Sequence, residues 1–195
     1  FSAQGVFNTT VVEDKLAVRV TGAMRQRGAL LESSVAGVES HSRDRWTVRG
    51  QALWNINPDA SLRVIADYAE TEDECCDAVH ISTTPLVGLG IYGLAGFPGS
   101  AGADNVGPAA LSGLKSNSEG FYEPTEQFGI SGQLNWGFEN FNLTYLASFR
   151  DYSTEGNQNS DFVSLDVFSI GAVTDNGTRY QSGSEIETMT HELRL

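Results

Sequence analysis

Only two cysteines, three tryptophans, three histidines and five prolines occur among 195 residues. No uninterrupted apolar run approaches the roughly 20 residues that a membrane-crossing helix needs, so a helical membrane protein is excluded. No basic segment followed by an apolar one opens the chain, so the pattern of a secretory leader is missing at Phe1. Cations are also scarce: 12 Lys and Arg face 25 Asp and Glu, for a net charge of -13. Nucleic-acid binding needs a basic patch facing phosphate, and this balance gives it poor support.

The ingredients of catalysis are equally sparse. His41, His80 and His191 fall in separate segments, no Gly-x-Ser-x-Gly elbow occurs, and no carboxylate pair stands apart from general acidity. Gly88-Leu89-Gly90-Ile91-Tyr92-Gly93 superficially matches a dinucleotide-binding turn, yet it neither follows a buried parallel strand nor opens a helix. Asp73, Glu74 and Asp77 form an acidic cluster without the spacing of a calcium loop. Cys75 and Cys76 are adjacent, which matches no zinc spacing and no Cys-x-x-Cys motif. The expectation is a protein that is not an enzyme and carries no cofactor, metal or catalytic residue.

What is present is period-two alternation, the mark of a strand with two unlike faces. Leu16, Val18, Val20, Gly22 and Met24 alternate with Lys15, Ala17, Arg19, Thr21 and Arg25. Trp46, Val48, Gly50, Ala52, Trp54 and Ile56 oppose Arg45, Thr47, Arg49, Gln51 and Asn55. Leu62, Val64, Ala66 and Tyr68 oppose Ser61, Arg63 and Asp67. Phe128, Ile130, Leu134, Trp136 and Phe138 face away from Ser131, Gln133 and Asn135, and Phe141, Leu143, Tyr145, Ala147 and Phe149 from Asn142, Thr144, Ser148 and Arg150. With weaker segments over about 1 to 11 and 187 to 195, the pattern predicts an all-β fold of about seven strands.

The connections alternate too. Val12-Glu13-Asp14, Asn57-Pro58-Asp59 and Glu139-Asn140 read as tight turns, whereas 28 to 43, 71 to 126 and 153 to 185 are long and polar or glycine-rich. Short turns alternating with long loops characterise outer-membrane barrels, and Trp54, Trp136, Phe138 and Phe141 sit beside the turns as an interfacial girdle would. A soluble antiparallel sandwich, with one face of each strand buried, produces the same alternation within strands. The two readings separate on whether the apolar face meets a second sheet.

Three stretches resemble TonB-dependent receptors. Val12-Glu13-Asp14-Lys15-Leu16-Ala17-Val18-Arg19-Val20 is similar to a turn and rising strand of that family's barrel. Asp44-Arg45-Trp46-Thr47-Val48-Arg49-Gly50-Gln51 and Leu62-Arg63-Val64-Ile65-Ala66-Asp67-Tyr68 are similar to its next hairpin. Glu74-Cys75-Cys76 and the closing Thr190-His191-Glu192-Leu193-Arg194-Leu195 also fit. The resemblance implies an antiparallel up-and-down meander, residues 1–195 being part of a large transmembrane β-barrel, about strands two to eight of about 22. It implies that the plug and TonB box lie outside the chain, that 71–126 is a long extracellular loop, and that the parent receptor sits in the cell outer membrane. The family imports a scarce nutrient such as a siderophore chelate, cobalamin or a saccharide; partners would be outer-membrane lipid, the plug, the TonB complex and the small-molecule nutrient.

On that reading Arg19, Arg49, Arg63, Asp67 and Arg150, with Arg25 and Arg45, face the lumen. There they meet an anionic ligand, plug carboxylates, or one another through Asp67 and Glu192. At an oxidising cell surface Cys75 and Cys76 are expected as a vicinal disulfide, the alternatives being a reduced pair or a poor metal site. The 71–126 loop is expected to carry ligand contact, or else to be a solvated surface loop. A second class of function stays open: a structural or adhesive β-protein whose edge strands pair with other copies.

Overall fold

In the computed structural model, residues 1–33, 39–76, 115–116, 121–159 and 179–195 are described. Among them there is no helix. Ten strands form two sheets. In chain order they are β1 (Ser2–Val12), β2 (Leu16–Arg27), β3 (Leu31–Ser33), β4 (Glu39–Ser40), β5 (Arg43–Asn57), β6 (Ala60–Cys75), β7 (Lys115–Ser116), β8 (Phe121–Gly137), β9 (Asn142–Asn159) and β10 (Arg179–Arg194). Seven make one antiparallel meander, β1-β2-β5-β6-β8-β9-β10, so the expected all-β meander is observed. A small sheet, β4-β3-β7, ties the connection after β2 to the one after β6 through a parallel β3–β7 pair.

The three tight turns share one end of the meander. At the first, Lys15 N–H donates to the Val12 carbonyl at 3.1 Å and Asp14 takes φ 57°, a left-handed conformation that Asp tolerates well. At the second, the Asn57 side-chain oxygen accepts from Asp59 N–H at 2.9 Å, an Asx turn beside Pro58. At the third, Phe138 N–H donates to the Phe141 carbonyl at 2.8 Å, and the two rings stack with centroids 4.6 Å apart.

At the other end the strands run further than alternation indicates. Thr71 to Cys75 belong to β6 and Phe121 to Glu126 to β8, both inside the span read as a loop. The same correction applies to the roots of the other long connections, since β9 continues to Asn159 and β10 begins at Arg179. Ladder hydrogen bonds hold these extensions whether or not a face is apolar, so period two vanishes there while the strand persists. The middle of the long connection, including Asp77, His80 and the Gly88 to Gly93 segment, lies outside the described residues.

One face of the large sheet is apolar, and it is open. Leu16, Trp54, Leu62, Leu134, Tyr145 and Leu193 are successive cross-strand partners on one rung, and Phe7, Val20, Gly50, Ala66, Ile130, Phe149 and Met189 on another. Ala60 is the one apolar residue buried among the described residues, while Trp46, Trp54, Ile130, Trp136 and Tyr145 are exposed. A sandwich would bury this face against a second sheet. None lies on it among the described residues, and the small sheet sits in the loops.

Candidate functional site: the two faces of the sheet

The apolar face has a definite outline. Going up each strand, the unbroken apolar run ends at Met24 on β2, Trp46 on β5, Tyr68 on β6, Phe128 on β8, Phe149 on β9 and Met189 on β10, with Tyr122 standing apart further up β8 beyond Glu126 and Pro124. These do not share a rung. The rung of Met24 and Trp46 continues as Glu70, Glu126, Ser153 and Glu185, and that of Tyr68 and Phe128 continues as Asp151 and Glu187. The border therefore descends by two rungs, about 13 Å along the strands, over four strand spacings of about 19 Å, a slope of about 35°. Strands of a transmembrane barrel tilt by roughly 35–45° to the membrane normal, so a level slab of hydrocarbon cuts them obliquely in this way. Along β8 the belt from Phe128 to Phe138 spans about 33 Å, or about 25 Å high after tilting, the usual height of a lipid-facing band.

Aromatic rings mark both borders. Trp46 packs against Tyr68 with centroids 5.1 Å apart, and its indole N–H donates upward to Glu70 at 3.1 Å, apolar body and polar tip pointing opposite ways. At the turn end Trp136 stacks on Phe138 at 5.5 Å. Within the belt, His191 is satisfied by the Tyr145 hydroxyl at 2.7 Å from its Nδ1.

The opposite face is polar and contains hollows of about 570, 490 and 410 Å³. Every expected lumen residue lies on it. Arg150 of β9 reaches across β8 to Asp67 of β6 at 3.3 Å, and its other nitrogen meets Gln127 at 3.5 Å. Gly129 makes this reach feasible: a Cβ there would stand 2.9 Å from the Arg150 guanidinium and 3.1 Å from the Asp67 carboxylate. Arg49 is the register partner of Asp67, yet its guanidinium has no ion-pair partner among the described residues. Arg63 donates to Gln51 at 3.2 Å, and Arg19 lines the 410 Å³ hollow beside them without an ion pair among the described residues. Glu192 pairs with Arg194, its neighbour on β10, rather than with an arginine of another strand.

Asp73, read in the sequence as part of an acidic loop, stands on this polar face and binds Arg45 through Nε at 3.0 Å to both oxygens, with Arg43 at 3.9 Å. Glu74 accepts from the Ser42 hydroxyl at 3.0 Å. Both are thus engaged by protein donors, and no metal-binding cluster occurs among the described residues. Gly129 and Gln127 carry the polar network and were missed in the sequence, and Asp73 was noted there only as part of an acidic cluster, because only register shows which strands these residues join. Cys75 ends β6 and Cys76 follows with φ 66°, their sulfurs bonded to each other. No protein-family model, curated protein or solved structure matches the chain.

Proposed function

We propose that this sheet is a section of the wall of an outer-membrane β-barrel of the TonB-dependent receptor kind, and that the parent receptor imports a scarce nutrient of siderophore, cobalamin or saccharide class. One observation carries the reading: an exposed apolar belt about 25 Å high, set obliquely to the hydrogen-bond ladder and edged by aromatic rings. Hydrocarbon solvates that belt, while the arginine-bearing face looks into a wet lumen or onto a plug. No exposed guanidinium then meets lipid, where a midplane Arg costs roughly 2–4 kcal/mol.

All three tryptophans, Trp46, Trp54 and Trp136, lie on the apolar face near its borders, which makes the test direct. Refolded into vesicles of phosphatidylcholine brominated along one acyl chain, the full chain should lose tryptophan fluorescence, more with bromines near the headgroup than near the chain end. Unquenched fluorescence would remove the lipid-facing assignment.

A second reading has its own observation. β1 and β10, of 11 and 16 residues, are the edges of the large sheet, and both offer unpaired ladder groups. A structural or adhesive assembly would pair these edges between copies and cover the apolar belt with protein. Ordered oligomers without bromolipid quenching would favour it.

A further inference from the structure

We infer that the 490 Å³ hollow on the polar face, between β1, β2, β5 and β6, binds a small free anion carrying two or more carboxylate or phosphate groups. The inference relies on the barrel reading only in taking this face to be open to water.

The hollow exists because Ala23 and Ala69 fill little space, while Arg25, Arg45, Gln4, Thr47 and Thr71 form its rim. Its volume is in the range of small-molecule sites, roughly 300–1,000 Å³. The charge around it is unusual. Arg25 faces Arg45 directly across β2 and β5, and Arg27 faces Arg43 on the next rung. Like charges directly opposite destabilise a sheet, and here two such pairs follow one another. The carboxylates in register with them are Asp73 and, one strand further, Glu123. Asp73 serves both Arg45 and Arg43, and Arg27 donates to the His41 carbonyl at 2.8 Å. Arg25 has no ion-pair partner among the described residues. Asp44, Glu70 and Glu72 of the neighbouring strands alternate to the other face; Glu70 borders the hollow, but its carboxylate accepts from the Trp46 indole on that other face at 3.1 Å. A chain of net charge -13 thus sets Arg25 and Arg45 on one hollow, with Arg27 and Arg43 on the adjoining rung and fewer carboxylates than cations in register with the four.

An oxyanion offsets that repulsion. The free fork of Arg25 and the outer edge of Arg45 can each engage one carboxylate or phosphate in two-point fashion, with Gln4 and the threonine hydroxyls completing the shell. Asp73 already occupies part of Arg45 and so competes with the incoming anion. Removing Arg25 and removing Asp73 should therefore act in opposite directions, which a purely structural role for either would not produce.

The test is calorimetric titration of the full chain in zwitterionic micelles with citrate, with inorganic pyrophosphate, with a tetraglutamate peptide and with maltose. Citrate or pyrophosphate should bind one to one, weakening as salt rises. Arg25→Gln should weaken binding about tenfold and Arg25→Lys less, while Asp73→Asn should tighten it about threefold or more. The β-sheet circular dichroism spectrum of each variant checks the fold; should Arg25→Gln not fold, Arg25→Lys and Asp73→Asn decide. No binding of either small anion, binding of the peptide alone, or both substitutions shifting affinity the same way would overturn the inference. Bromolipid quenching without anion binding removes this inference and leaves the barrel, and the converse removes the barrel alone.

Discussion

The two faces of the sheet use the same strands to different ends. On the apolar face neighbours are interchangeable in kind: Leu62, Leu134 and Tyr145 share a rung and need only be hydrophobic. On the polar face, five residues further up the same strands, partners are specific, and Arg150 finds Asp67 only because Gly129 lies between. A nonspecific solvent asks for composition, whereas a charge in water-filled space asks for a particular partner at a particular register. Substitutions at matched heights should expose that difference.

The largest effect is expected for Val64→Arg, near the middle of the belt on β6. It should lower folding free energy in lipid vesicles by about 2–4 kcal/mol, whereas Ile65→Arg, its neighbour on the polar face, should cost less than about 1 kcal/mol. Denaturant unfolding in vesicles measures both, and equal costs would erase the distinction between the faces.

Gly129→Val comes next, because its side chain must displace Arg150 from Asp67. A loss of about 1–2 kcal/mol is expected, most of it from crowding, since a half-exposed ion pair is worth about 1 kcal/mol or less. Gly132, on the apolar face of the same strand with open space around it, should accept Val within about 0.5 kcal/mol. Trp136→Ala at the turn-side border should cost about 1 kcal/mol through lost stacking on Phe138. The same unfolding curves should show it.

The smallest effect belongs to Cys75–Cys76. A bridge between adjacent residues closes almost no loop, so it withdraws little entropy from the unfolded chain. Reduction should leave the melting temperature within about 1 °C while intact mass reports the gain of two hydrogens. A larger drop would mean that the strand end at Cys75 holds the loops above it.

Much of this was legible in residue order. Leu16 to Met24 and Phe128 to Phe138 declare their strands because a pleated backbone sends alternate side chains to opposite faces, and those faces differ in solvent. The tight turns declare themselves through Asp14, Asn57-Pro58-Asp59 and Glu139-Asn140. By contrast, Thr71 to Cys75 and Phe121 to Glu126 gave no alternation, since where neither face is apolar only the ladder marks a strand.

The sequence by itself therefore determined that the chain forms strands, how they turn, and which side chains share a face, all consequences of local geometry. Tertiary structure alone decided the pairings, because register depends on strands brought together from far apart in the chain. Arg49 could equally have taken Asp67, its direct partner, but Arg150 crosses a glycine to reach it. Register likewise set the slope of the apolar belt and brought Arg25 and Arg45 together on one hollow with Arg27 and Arg43 on the next rung, since neither a border nor a charge cluster exists until strands lie side by side.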